Sequence, residues 1–432
     1  MRRLFISFVL ILFLTQPSVA GQPDFNRYFT SSCLRVDLYH TGCESMELFS
    51  IDEIIEEPHW GGNHNALVDT MNLGLYIFRV FDLETNDLVF SRGYCSIFGE
   101  WMTTDEAREG KTGTFHESLI MPFPRKAVQI MIDKRNRENI FTNIFSFVVD
   151  PDDYHIATES RYDYFRARTL IKNGPPAEKV DIVIIGDGYR KDETHKLKED
   201  AEKFIEVLFS VEPFKSRRDD FNVRLVESVS GQSGVDNPRE GVYRNNLLGL
   251  SFDIFSIDRY MLSTDNRRIR DIAAKVPYDQ VILLANEEKY GGGGIFNLYS
   301  ASVSDNEYSE YIFVHEFGHA FAGLADEYYS SAVTYNDMYP RGVEPWEPNV
   351  TALLNGDCVK WGDLIGPNVP VPTPDDSTYA GITGCFEGAA YSAEGLYRSS
   401  RDCIMFSRSI EKGFCPACGR AIERMIDFRT KK

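Results

Sequence analysis

The chain has 432 residues, which is more than one domain usually holds, so two domains are expected. Its composition, 43% hydrophobic and 26% charged, is typical of a globular protein and excludes a disordered chain or a bundle of transmembrane helices. The formal net charge of -19 argues against nucleic-acid binding, because a phosphate-binding surface needs a basic stripe.

The N-terminal residues 1–20 predict a secretory signal peptide. Arg2 and Arg3 precede an apolar run over residues 4–14, and Ser18-Val19-Ala20 supplies the small residues that a signal peptidase reads. The run is too short to span a bilayer comfortably. We therefore expect an exported protein, periplasmic or secreted, that is soluble after this segment is cleaved.

Export would place the eight cysteines in an oxidising compartment, where disulfides are the default. Three lie early and five lie late, so each group has an odd member unless one bridge joins the two groups. Their pairing cannot be deduced from the sequence. The early cysteines are Cys33, Cys43 and Cys95, and the late ones are Cys358, Cys385, Cys403, Cys415 and Cys418.

Residues 25–165 predict a β-sandwich that serves as an accessory domain. Leu34, Val36 and Leu38 alternate with polar residues, which is the period of a half-buried strand. Further strands flank polar turns and indicate two hairpins, and no convincing amphipathic helix interrupts them. The predicted hairpin strands are residues 75–83 with 88–94, and residues 127–132 with 140–149.

After a Gly-Pro-Pro linker, residues 175–432 predict an α/β domain. The continuous apolar run at 180–185 is typical of a strand that is covered on both faces. Residues 193–209 place five apolar side chains on one face of a helix. Further strands are predicted at 222–229 and 281–285. The expected fold is therefore α+β in two domains.

The segment HEFGH at residues 315–319 carries the clearest chemical signal. Positions i and i+4 share one face of a helix, so His315 and His319 can hold one metal ion. Zinc lowers the pKa of a bound water from about 15.7 towards about 7, and Glu316 can take its proton. Two core histidines without a metal are the alternative, but burying them without partners would be costly.

The flanking residues predict where this helix begins and which residue is the third ligand. Ser304 and Glu307 resemble a capping box, and Gly323 can end the helix through a positive φ. A catalytic zinc needs three protein ligands, and no histidine follows the motif. A chain that reverses at the glycine can return a carboxylate to the ion. We expect Asp326, with Glu327 second and a glutamate on a distant helix as a further alternative.

Four glycines at 291–294 lead into a predicted strand at 295–299. A phosphate-binding P-loop is excluded, because the following Lys-Ser/Thr pair is missing. Two interpretations remain. The segment is either a flexible connection or an edge strand beside the cleft, whose backbone pairs with an extended peptide and whose glycines permit close approach.

Near the C-terminus, Met405 precedes a final helix that is predicted to open at Cys415-Pro416. A buried methionine can form an apolar floor under ligand imidazoles, although methionine there is more often ordinary core. Cys415 and Cys418 form a CxxC pair. A thioredoxin-type redox role is not favoured, because no thioredoxin-like βαβ context precedes the pair, so structural disulfides or a free pair are expected.

The segment HEFGHAFAGLADEY at 315–328 resembles the metzincin pattern HExxHxxGxxH, with Met405 in the place of the Met-turn. The resemblance is imperfect. Gly323 and Asp326 each come one residue later than the metzincin glycine and third ligand, and that ligand would be an aspartate.

A closer resemblance is to the bacterial IgA peptidase family of zinc metallopeptidases. That likeness implies that His315, His319 and Asp326 bind zinc and that Glu316 is the general base. It spans most of the chain from residue 180 and is looser for the N-terminal strands. The similar segments are 315–328, VDIVIIGDGY at 180–189, GCFEGAAY at 384–391 and CIM at 403–405.

These patterns together predict an exported zinc-dependent endopeptidase that hydrolyses a protein or peptide substrate. Tyr397 is the candidate for stabilising the oxyanion, and Tyr328 is its rival. The N-terminal domain could present substrate or contact a protein or a glycan. A secreted binding or adhesion protein with a structural or degenerate metal site is the alternative, and the intact Glu316 counts against it. Hydrolysis of a non-peptide amide shares the same site.

Overall fold

A computed structural model describes residues 21–159, 161–329, 339–340, 342–353 and 359–430. The predicted signal peptide and Cys358 lie outside these residues. The described chain forms an α+β protein in two parts, each with its own sheets. In this described part, no helix is long and apolar enough to cross a membrane.

The N-terminal part consists of two antiparallel sheets that share one hydrophobic core. The sheets have the strand orders β2-β1-β5 and β4-β3-β6-β7. The strands are β1 (Phe29–Cys43), β2 (Met46–Glu57), β3 (Tyr76–Asp82), β4 (Leu88–Tyr94), β5 (Gly113–Pro124), β6 (Val128–Arg135) and β7 (Phe141–Val149). The short helices are α1 (Phe25–Tyr28), α2 (Ile97–Trp101) and α3 (Asp105–Arg108).

Both predicted hairpins of this part are confirmed, as β3-β4 and β6-β7. The alternation that predicted β1 holds for its apolar residues Val36 and Leu38, which face the shared core. Strand β1 is nevertheless buried on both faces, because Arg35 bonds to Asp271 of the second part and Asp37 is buried beside Arg35. The sequence missed β2, β5 and the short helices.

A buried ion network joins the two parts. The Arg35 guanidinium is 2.8 Å from Glu57 and 2.5 Å from Asp271, which belongs to the second part. The backbone adds further contacts, since Cys95 N–H donates to the carbonyl of Phe296 over 2.9 Å. The N-terminal part is therefore fastened to the turn at residues 296–298.

The second part is built on a six-stranded sheet with the order β14-β15-β13-β9-β10-β8. The four inner strands are parallel, and both edge strands are antiparallel. The sheet begins upstream of the predicted boundary at residue 175, because β8 pairs with β10. These strands are β8 (Arg166–Ile171), β9 (Val180–Asp187), β10 (Phe221–Glu227), β13 (Gln280–Ala285), β14 (Gly292–Ile295) and β15 (Tyr299–Val303).

In the described residues of this part, four α-helices and two small sheets complete the fold. The predicted helix at 193–209 is confirmed as α4, and its aromatic residue Phe204 stacks on Phe313 of α6 with ring centroids 5.1 Å apart. The helices are α4 (Thr194–Leu208), α5 (Asn266–Ala273), α6 (Ser309–Ala322) and α7 (Pro416–Thr430). The small sheets contain β11 (Leu250–Ser251) and β12 (Leu262–Ser263), and β16 (Val350–Thr351), β17 (Phe386–Ala389) and β18 (Ser392–Arg398).

The glycine run forms an edge strand that lies directly on helix α6. The strand predicted at 295–299 is displaced: β14 ends at Ile295, a turn follows, and β15 begins at Tyr299. An ideal Cβ at Gly294 would lie 2.3 Å from the carbonyl oxygen of Glu316 and 2.9 Å from Cβ of His319. Glycine is needed there because only a residue without a side chain permits this approach.

We expect Gly294→Ala to loosen the contact between β14 and α6. Either the strand or the helix must shift to admit the methyl group, and such overpacking costs about 1–3 kcal/mol. Urea denaturation should show a decrease of about that size in the free energy of unfolding. The control is Gly419→Ala in α7, where nothing lies within 4 Å of the added Cβ. Equal stability of both variants would contradict the steric argument.

Candidate metal centre

Helix α6 presents the HEFGH segment from the interior of the second part. It begins at Ser309, five residues after Ser304, so the predicted capping box is wrong. Ser304 does not cap the helix, because its Oγ donates to the carboxylate of Asp305 instead. Ser309 lies at the start of the helix, and its Oγ accepts from Asn306 N–H. The C-terminal end is as predicted: Gly323 has a φ of 63° and donates to the carbonyl of His319 over 3.1 Å.

Three ligand atoms meet at this helix. The Nε2 atoms of His315 and His319 are 3.1 Å apart, and Asp326 Oδ1 lies 3.1 Å and 3.4 Å from them respectively. Four tetrahedral ligands at about 2.0–2.1 Å from a zinc ion would lie about 3.3–3.4 Å from one another. The spacing and the His-His-Asp donor set fit one zinc ion.

Hydrogen bonds to the backbone fix both imidazole rings. The Nδ1 atom of His315 is 3.1 Å from the carbonyl of Ile404, and that of His319 is 2.5 Å from the carbonyl of Leu324. A carbonyl only accepts, so we assign the ring proton to Nδ1 in both residues. The two Nε2 atoms are therefore the atoms left to bind a metal.

The two oxygens of Asp326 have different environments. Oδ2 accepts hydrogen bonds from the hydroxyls of Tyr328, over 2.8 Å, and Tyr391. Oδ1 is buried and faces the Nε2 atoms of the two imidazoles, and among the described residues it has no donor when both rings carry their proton on Nδ1. A buried carboxylate oxygen in this position requires a cation, which is either a protonated imidazole or a metal ion that takes the place of that proton.

The pKa shifts of the cluster show the same need for positive charge. Burial opposes a charged imidazole, but the carboxylate of Asp326 outweighs it and raises the pKa of His319 to about 9. Burial also opposes the charged form of Asp326, yet the imidazoles hold its pKa well below the ordinary value. Burial raises the pKa of Glu316, and the two imidazoles only partly offset this effect.

The cluster lies in a cleft of 1510 Å³ between the two parts of the chain. Its walls include Gly294 and Ile295 of β14 and, from the N-terminal part, Lys134 and Arg135 of β6. Glu316 lines the same cleft and therefore borders both the ligand atoms and the space that a substrate would occupy.

The other predicted residues occupy separate positions. Met405 is fully buried beside α6, with Sδ 3.3 Å from the position of an ideal Cβ on Gly318. The carboxylate of Glu327 points into a cluster of cysteines. Tyr397 lies on β18, where its hydroxyl donates to Glu387 over 3.4 Å, and it is not among the residues that line the cleft. Its rival Tyr328 does line the cleft.

Tyr391 and the backbone carbonyls of Leu324 and Ile404 also belong to the site, although none of them was predicted. Tyr391 stood within the GCFEGAAY segment, so a signal existed, but nothing in the sequence indicated that its hydroxyl reaches Asp326. The carbonyl contacts leave no signal in side-chain patterns. Disulfides were the default expectation, yet the seven described cysteines are all unpaired.

Comparison with known proteins agrees with the arrangement of the chain in two parts. The family described as IgA Peptidase M64 matches residues 169–380 and 375–426. The family described as Peptidase M64 N-terminus matches residues 24–146. A search of curated proteins found no match. The peptidase match alone covers more than half of the sequence, and the chain belongs to the IgA peptidase M64 family.

Proposed function

We propose that the protein is an exported zinc-dependent endopeptidase with a β-sandwich accessory domain at 25–165 and a metzincin-like catalytic domain, predicted at 175–432, that includes β8 upstream of residue 175. Membership of a peptidase family supports the class of reaction. The observation that carries the metal assignment is the buried Oδ1 of Asp326, which faces the Nε2 atoms of His315 and His319. Immunoglobulin A is the first substrate to test, because the family carries its name.

In this proposal, His315, His319 and Asp326 hold the zinc ion. A bound zinc ion supplies a Lewis acid that polarises the scissile carbonyl and makes water acidic enough to be deprotonated near neutral pH. The protein contributes rigidity, since the carbonyls of Ile404 and Leu324 fix both rings.

Glu316 acts as the general base. It takes a proton from the attacking water and later gives that proton to the leaving amine. Glu316 therefore ends the reaction in the protonation state in which it began. Burial raises the pKa of Glu316, and a carboxylate with a raised pKa is the stronger proton acceptor.

Strand β14 offers a place for an extended substrate. On its outer side, Gly292 already accepts from Met261 N–H over 3.1 Å and donates to the carbonyl of Arg259 over 3.3 Å. Backbone groups two residues apart in a strand point the same way, so those of Gly294 point to the outer edge as well. We propose that Gly294 pairs with the substrate backbone beside Glu316.

The N-terminal part is proposed to contact the substrate. Lys134 and Arg135 line the cleft, so a protein chain that enters it passes along the β-sandwich. For the oxyanion, we propose Tyr328 in preference to Tyr397. The hydroxyl of Tyr328 lies beside the ligand cluster, with Arg259 at 3.5 Å, whereas Tyr397 is bonded to Glu387 outside the cleft. Tyr328 has a single proton, which it donates to Asp326, so it would turn from Asp326 to the oxyanion during the reaction while Tyr391 stays on Oδ2.

We expect Glu316→Gln to keep the metal and lose turnover. The amide preserves size but cannot accept the proton, so kcat should fall by about 10²–10⁴-fold. Cleavage of immunoglobulin A and of a peptide library measures turnover, and mass spectrometry measures bound zinc. The control is Glu310→Gln in the first turn of the same helix, where the side chain is 47% exposed and activity should be unchanged.

Two results would contradict the role of Glu316. Full turnover by Glu316→Gln would exclude the general base. Absence of any proteolysis by the zinc-loaded wild type would favour the alternative, a binding protein with a structural metal.

Zinc affinity should increase with pH through the neutral range. In the metal-free protein, His319 is protonated below its pKa of about 9, and this proton must leave before Nε2 binds the ion. Affinity should therefore increase about tenfold for each pH unit up to about 9 and level off above it. Competition with a chelating dye, corrected for the pH dependence of the dye alone, measures the slope. A profile that is flat between pH 7 and pH 9 would contradict the raised pKa of His319.

A further inference from the structure

A second group of metal-binding side chains lies behind the first. Glu327, Cys403, Cys415 and Cys418 are all buried, and one ligand atom from each lies within 4.8 Å of all the others. This cysteine-glutamate cluster shares no residue with the cluster of His315, Glu316 and His319. It contains the CxxC pair, Cys415 and Cys418, which has no role in the proposed peptidase activity.

The distances within the cluster fit a tetrahedral zinc ion. For bonds of about 2.3 Å to sulfur and about 2.0 Å to oxygen, neighbouring sulfurs would lie about 3.8 Å apart and a sulfur and an oxygen about 3.5 Å apart. The Sγ atoms of Cys403 and Cys418 are 3.9 Å apart. Glu327 Oε1 lies 3.4 Å from Sγ of Cys415 and 3.2 Å from Sγ of Cys418.

The surroundings of the sulfurs suit thiolates. Backbone N–H groups of Met405 and Cys415 lie 3.4 Å and 3.2 Å from Sγ of Cys403, and Ser399 Oγ donates to Sγ of Cys415 over 3.0 Å. Cys415 precedes helix α7 and Cys418 lies in its first turn, where the helix dipole favours negative charge. Donors of this kind commonly surround metal-bound sulfur.

The carboxylate of Glu327 distinguishes a metal from a disulfide. Among the residues that the structure describes, its Oε2 atom is buried without a hydrogen-bond partner, and Oε1 accepts only from Asn349 and the thiols. The buried guanidinium of Arg398 donates instead to the carbonyls of Glu387 and Gly388. A disulfide between two cysteines would leave Oε2 of this acid and the third cysteine without a bonded partner among the described residues, whereas a dication would bind all four groups.

We propose that Glu327, Cys403, Cys415 and Cys418 bind a second zinc ion. Four protein ligands close the coordination sphere, so the ion is structural. It joins the segment after the HEFGH helix, the loop around Met405 and helix α7. Glu327 directly follows Asp326, and Ile404, whose carbonyl fixes the ring of His315, directly follows Cys403. The second ion therefore positions ligands of the first.

The first experiment measures zinc in the purified full-length protein and in His315→Ala/His319→Ala. The proposal expects about two zinc ions per chain in the wild type and about one in the double variant. Retention of one ion in the double variant depends only on the cysteine-glutamate cluster. A double variant that binds no metal would overturn the second site, whatever the outcome for the peptidase activity.

The second experiment identifies the ligands of that ion. Cobalt bound to the double variant should give the near-ultraviolet absorption of sulfur-to-metal charge transfer. Compared with the wild type, Cys418→Ser should bind about one metal ion fewer per chain and unfold at a lower temperature. Cys33→Ser is the control, because Cys33 is equally buried but lies in β1. Cobalt spectra without the sulfur band would overturn the assignment.

A third measurement keeps the test independent of folding. Non-reducing peptide mass spectrometry of the wild type should find Cys403, Cys415 and Cys418 as thiols that react only after the metal is removed. A disulfide between any two of them would exclude the site.

Discussion

The candidate metal centre depends on one constraint: a buried carboxylate oxygen must face two imidazole nitrogens. Gly323 makes this possible, because its left-handed φ of 63° ends α6 and turns the chain back so that Asp326 reaches the helix it has just left. The helix supplies His315 and His319 at the correct spacing without help from the rest of the fold. The return of the carboxylate needs the surrounding structure.

Several elements of that surrounding structure pack against α6. Strand β14 lies on it through Gly294, and the loop around Met405 lies on it at Gly318. The N-terminal sheets reach this region through the bond from Cys95 to Phe296, just after β14. The N-terminal part therefore contacts the turn that directly follows the edge strand of the cleft.

The elements that could be predicted from the sequence are those governed by short-range periodicity. The hairpins, the buried strand β9, helix α4 and the spacing of the two histidines follow from periods of two and of 3.6 residues. The choice of Asp326 rather than Glu327 as the third candidate ligand does not follow from such a period. Adjacent residues in an extended segment point in opposite directions, and which side faces the histidines is set by long-range packing against α7 and the cysteine loop. Strands β2 and β5 were missed for a related reason, since polar residues such as Glu57 and Glu117 are buried in ion pairs there.

One detail of Asp326 bears on how many ligand positions the protein itself occupies. Two phenol groups engage the outer oxygen of this carboxylate, so only the inner oxygen is turned towards the imidazoles. If a zinc ion binds here, Asp326 would offer it one oxygen, and the two imidazoles would each offer one nitrogen. Three protein ligands would leave one of four tetrahedral positions for a reactant.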